Sequence, residues 1–135
     1  MDIDKLTSTV IEICIKIHST VGPGCFEKVY EEILYHELIK RNIRVQRQVL
    51  MPIQYETLFI PHAYKLDLLI DHQLITELKS TEHLTPVHFK QVMTYLKLMD
   101  LKYGMLLNFK VNLMKEGIHR VFNNYGKLKM EELKL

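Results

Sequence analysis

Three residues of this chain are of the types and spacing that could do chemistry together: Asp67, Glu77 and Lys79. A divalent cation such as Mg2+ takes oxygen ligands, typically one or two carboxylates completed by water and substrate phosphate. Cleavage of a phosphodiester therefore needs a few converging acids and a cationic side chain that stabilises charge at phosphorus or orients a water. Glu77 and Lys79 are two apart in an apolar run over 74–79 that reads as a strand, so both side chains leave the same face. Asp67 lies in the preceding apolar run, 64–70, and the polar triplet Asp71-His72-Gln73 joins the two as a hairpin.

Whether Asp67 meets Glu77 depends on register. A two-residue turn at Asp71-His72 would set Glu77 opposite Leu66 and leave Asp67 on the wrong face. A three-residue loop over 71–73 sets Asp67 directly across from Glu77. A metal site requires the second arrangement, so an odd-length loop or an equivalent bulge is predicted. Taken alone, an Asp…Glu-x-Lys pattern can arise by chance, and charged residues on strands usually face water. Here, however, the flanking residues Leu66, Leu68, Leu69, Ile70, Leu74, Ile75 and Leu78 are strongly apolar, which puts the acids near buried surroundings.

The elements around this hairpin follow from periodicity. Leu6, Val10, Ile13, Cys14 and Ile17 recur at helical spacing over 4–19, and Gly22-Pro23-Gly24 ends that helix. A second helix is predicted over 25–40, with Phe26, Val29, Tyr30, Ile33, Leu34 and Leu38 as its apolar arc. Alternation then marks a strand over 43–49, a turn at 54–56 and a short strand over 57–60 that Pro61 limits. After the 71–73 hairpin, Thr85-Pro86 opens a helix that buries Phe89, Val92, Met93, Leu96 and Met99 and ends near Asp100. Strands over 103–108 and 118–122 follow, and 126–135 reads as a terminal turn or a fraying end. The order predicts an α/β fold, a mixed sheet flanked by helices, in a single domain over 1–135 with its core at about 4–123 and a tail over 124–135.

Further candidates come from helix faces. Gln91 and Tyr95 are four apart and neighbours on one face, with His88 three before Gln91 on much the same side. Glu27 falls in line with Leu34 and Leu38 at the inner margin of its helix; it either points into a cleft or is a first-turn acid favoured by the helix dipole. Lys40, Arg41, Arg44 and Arg47 form the best basic cluster for phosphates, with a solvated helix end and strand face as the plainer reading.

Together these residues resemble the PD-(D/E)xK nuclease superfamily, with its restriction-endonuclease-like core. More narrowly, the chain is similar to the small bacterial proteins called GxxExxY proteins. Gly24-Cys25-Phe26-Glu27-Lys28-Val29-Tyr30 matches the naming motif, Asp67 and Glu77-Leu78-Lys79 match the superfamily acids and lysine, and Gln91 to Tyr95 matches the Q-x3-Y element of RecB-like nucleases. The segments 104–109 and 117–120 resemble the closing strands, and Leu66 stands where the superfamily name has Pro. The resemblance implies Glu27, Asp67, Glu77 and the Leu78 carbonyl as ligands of Mg2+ or Mn2+. It implies that Lys79 activates water or stabilises the transition state, and that Gln91 and Tyr95 orient site or substrate.

Composition narrows the alternatives. Of 135 residues 47% are hydrophobic and 25% charged, an ordinary globular balance, and a net charge of +2 is too small to bind nucleic acid by bulk electrostatics. Two cysteines, Cys14 and Cys25, make no disulfide framework or zinc site. No run approaches the roughly 18 apolar residues of a membrane span, no basic-then-apolar leader opens the chain, and a cytoplasmic location is expected. Gly22-Pro23-Gly24 follows no strand and precedes no Walker lysine, so it is not a nucleotide loop. The expected partner is nucleic acid, DNA first, with a homodimer or larger complex supplying what so short a chain lacks. The competing class is a nuclease-like module that binds nucleic acid or a protein partner without cutting.

Overall fold

The computed structural model describes residues 1–127. The terminal turn or frayed end expected over 126–135 falls almost wholly outside them. Helices α1 (Ile3–Val21) and α2 (Glu27–Lys40) lead into a hairpin of β1 (Val45–Tyr55) and β2 (Leu58–Ile70), then β3 (Leu74–Lys79), α3 (Pro86–Met99), β4 (Tyr103–Asn108), a 3-10 turn (Met114–Gly117) and β5 (Ile118–Phe122). The strands form one sheet in the order β1-β2-β3-β4-β5, antiparallel except for the β3–β4 pair that α3 crosses over. It is the α/β architecture with a mixed, helix-flanked sheet that the periodicity predicts.

Each face of the sheet has its own core. Leu6, Val10, Ile13 and Ile17 of α1 and Tyr30, Leu34 and Leu38 of α2 pack on Leu68, Ile70, Leu74, Leu78, Met105 and Leu107. On the opposite face, Val92, Tyr95 and Leu96 of α3 pack on Leu66, Leu69, Ile75 and Leu106. The α3 contact is close: a Cβ on Gly104 of β4 would lie 2.9 Å from a Val92 methyl, so glycine lets the helix settle onto the strand. Asp100 closes α3 in a left-handed conformation, φ 54°. No helix among the described residues is long and apolar enough to cross a membrane.

Two details differ from the sequence expectation. The segments predicted as separate strands over 57–60 and 64–70 are one strand, and β1 runs on to Tyr55. Met51 pairs with Tyr64 but Ile53 with Ile60, so Pro52 faces a stretch containing Pro61. Both prolines sit at this register shift, where a missing N–H breaks no regular rung. On α2, Phe26 is the N-cap rather than a helical residue, and it is 86% exposed. Val29 is exposed too. The buried face is Tyr30, Glu31, Leu34, Glu37 and Leu38, so it carries two carboxylates.

Candidate active site

The β2–β3 hairpin has the odd loop that the site requires. Leu68 pairs with Thr76 and Ile70 with Leu74, leaving Asp71, His72 and Gln73 as the connection. Asp71 and His72 adopt left-handed φ of 52° and 56°, and the Gln73 N–H donates to the Ile70 carbonyl at 3.1 Å. Asp67 and Glu77 are therefore brought together.

A break in the β1–β2 ladder gives Asp67 its freedom. Arg47 pairs with Leu68 and Val49 with Leu66, but the rung between them, Gln48 with Asp67, is absent. Gln48 has φ 54°, a left-handed conformation that strains a non-glycine residue within a strand. Side chains change faces here: Val45, Leu68 and Ile70 belong to the α1/α2 core, whereas Val49, Met51 and Leu66 belong to the α3 core. Released from the ladder, the Asp67 N–H donates to Glu77 Oε1 at 2.7 Å, and Asp67 Oδ2 accepts the Leu78 N–H at 2.9 Å. Gln48 Nε2 reaches Asp67 Oδ1 at 3.4 Å and also donates to Glu31 Oε1.

Glu77 is 4% exposed, and its carboxyl pKa is pushed up to about 8, by burial first and then by the Asp67 charge. Lys79, on the same strand face and half-buried, pulls the other way. Tyr95, 3% exposed, lies with its ring edge-on to Tyr64 at 5.6 Å. Burial raises its hydroxyl pKa, and the charges of Glu77 and Asp67 raise it further, so the phenol stays protonated within electrostatic reach of both acids. Gln91 is half-buried one turn earlier on α3.

A cavity of about 370 Å³ opens on Asp67, lined also by Leu78, Gln48, Glu31 and Glu27 among others, while Glu77, Lys79, Gln91 and Tyr95 are not in its wall. Glu27 is exposed on its wall. Glu31, one turn further along α2, is 4% exposed and also meets Lys28 Nζ at 3.4 Å. Glu31 and Gln48 are the site residues that sequence reasoning passed over. The available signal was the i, i+4 spacing of Glu31 from Glu27 beside the buried Tyr30–Leu34 stripe.

Other candidates lie elsewhere. His88 Nδ1 accepts the Thr85 N–H at 3.1 Å and so serves the start of α3. Lys40 and Arg41 pair with Glu37 at 3.1 and 2.6 Å, and Arg47 pairs with Glu32 at 2.8 Å while lying over the Tyr35 ring. Arg44 is exposed and adds last to the low Asp71 carboxyl, which the chain's N-terminal ammonium at 3.0 Å holds down first. None of these four basic residues lines the Asp67 cavity.

Among the described residues no three His, Cys, Asp or Glu side chains form a ready-made metal cage. The donors still suit a hard cation that keeps most of its waters: two adjoining carboxyls, one of them buried and short of positive charge. The sequence model of one family, the PD-(D/E)XK nuclease superfamily, matches residues 4–121. No curated protein and no solved structure matches the chain.

Proposed function

Because the chain belongs to the PD-(D/E)XK nuclease superfamily, we propose that it is a metal-dependent nuclease that cleaves phosphodiester bonds of nucleic acid, DNA before RNA, at the Asp67–Glu77–Lys79 site. The observation that carries this reading is the joined Asp67–Glu77 pair, Glu77 buried and Asp67 half-buried, with no ion pair to either acid among the described residues.

Asp67, Glu77 and the Leu78 carbonyl, with Glu27 across the cavity, are the groups that would hold Mg2+ or Mn2+. Bound there, the cation would polarise the phosphoryl group and make a water a better nucleophile at neutral pH. The chain's own residues do the rest. Asp67 is oriented by the Leu78 N–H and the Gln48 amide, so its carboxylate is aimed before any ligand arrives. Glu77 holds its proton in the free protein and gives it up as it takes on a ligand role. Lys79 meets the charge that develops on the phosphate, and Tyr95, kept as the phenol, offers a hydrogen-bond donor. Gln91 orients substrate from the preceding turn of α3.

Incubating the protein with single- and double-stranded DNA and RNA, in Mg2+, in Mn2+ and in EDTA, tests this. Cutting should require metal and fall about 100-fold or more in Asp67→Asn and in Lys79→Ala. Activity that survives either substitution contradicts the assignment. Binding without cutting in every metal would replace the enzyme with a silent nucleic-acid module.

A further inference from the structure

The cavity at Asp67 does not end there. A second cavity of about 240 Å³, with Ser80 and Lys110 in its wall, shares Phe26 and Glu27 with it. The two make one groove leading away from the acids, and Phe26 stands where they meet. Its ring is 86% exposed, held out by its place at the N-cap of α2. Lys110, exposed, makes no ion pair with another described residue. Gly24 also lines the second cavity. Its φ lies outside the left-handed range, and a Cβ there would meet nothing within 4 Å, so neither conformation nor packing calls for glycine. A bare backbone facing a groove suits close approach by a ligand.

We propose that this groove holds an unpaired polynucleotide strand, with one base stacked on Phe26 and the adjoining phosphate on Lys110. The proposal rests on the nuclease reading of the acid pair and names its substrate: single strands or frayed ends. An aromatic face accepts any base, but only one that is not already stacked inside a duplex. The track is short. Past Lys110 the surface becomes acidic at Glu82 and Glu116, which repel further phosphates.

Fluorescence anisotropy of the full chain with labelled single-stranded and duplex DNA and RNA, in Ca2+, tests the proposal separately from cutting. Single strands of at least one of the two polymers should bind more tightly than the matching duplex. Phe26→Ala should weaken single-strand binding about tenfold, and Phe26→Trp should restore it. On a strand made abasic throughout, the Phe26→Ala effect should vanish. Lys110→Ala should lower the slope of log affinity against log salt by about 0.7. Duplex binding as tight as single-strand binding for both polymers, or a Phe26→Ala loss that persists on the abasic strand, overturns the proposal. A chain that cuts duplex with Phe26 irrelevant is a nuclease without this track. A chain that binds single strands through Phe26 yet cuts nothing has the track without the proposed activity.

Discussion

Glu37 and Glu77 are both nearly shut off from water, at 6% and 4% exposure, yet the fold treats them in opposite ways. Glu37 of α2 is met by Lys16 at 3.0 Å, Lys40 at 3.1 Å and Arg41 at 2.6 Å, and these cations, Lys16 first, hold its carboxyl down to about 2. Glu77 of β3 receives one backbone N–H and has a second acid at its side, and its carboxyl is pushed up to about 8. The first is a buried charge that the chain neutralises itself. The second is left under-neutralised behind Asp67, the acid that faces the cavity, where a cation from outside would be worth most.

The contrast can be pressed by mutation, beginning with the largest effect. Glu77 is raised from 4.5 to about 8, so the folded state holds an extra proton between those values; its favourable contribution is complete below 4.5 and lost as pH rises through 8. Glu77→Gln should therefore stabilise the metal-free protein by on the order of 2 kcal/mol at about pH 9 and do little at about pH 4, as read by urea denaturation. Loss of stability in alkali would remove the contrast.

Glu37 runs the other way. Its contribution is present above 4.5 and lost as pH falls towards about 2. Because Lys16 and Lys40 are more than half exposed, Glu37→Gln should cost only about 1 kcal/mol at neutral pH, fading in acid. A smaller effect on stability is expected from Gln48→Gly, which relieves the left-handed φ of 54° while removing the amide that bridges Asp67 and Glu31. Its melting temperature should change little, while metal affinity drops about tenfold. Equal metal affinity in the two proteins would reduce Gln48 to a structural kink.

Much of this was legible in the sequence because two acids fix a parity. Asp67 can join Glu77 only across an odd loop, and the loop is 71–73. The core stripes of α1 and α3 were equally plain. Pro61 misled, since a proline shows where an N–H is missing but not that Pro52 faces the same irregular stretch. The buried face of α2 was hidden because its acids are covered by partners from elsewhere: Glu31 by Gln48 and Glu37 partly by Lys16. The pairing of Glu37 with Lys40 and Arg41 was readable at i+3 and i+4 spacing, and it takes up charges assigned from sequence to phosphate. The Arg47–Glu32 pair links β1 to α2 and leaves no local signal.

If Asp67 and Glu77 form a cation site, metal binding must displace the proton that Glu77 holds. With the Glu77 carboxyl at about 8 in the free protein, Mn2+ binding near pH 7 should expel about one proton. Calorimetric titration in two buffers of different ionisation enthalpy measures that number. Release close to one proton is expected in the wild type, none in Glu77→Gln, and much weaker binding in Asp67→Asn. Metal binding without proton release, or with undiminished affinity in Asp67→Asn, would contradict the cation site.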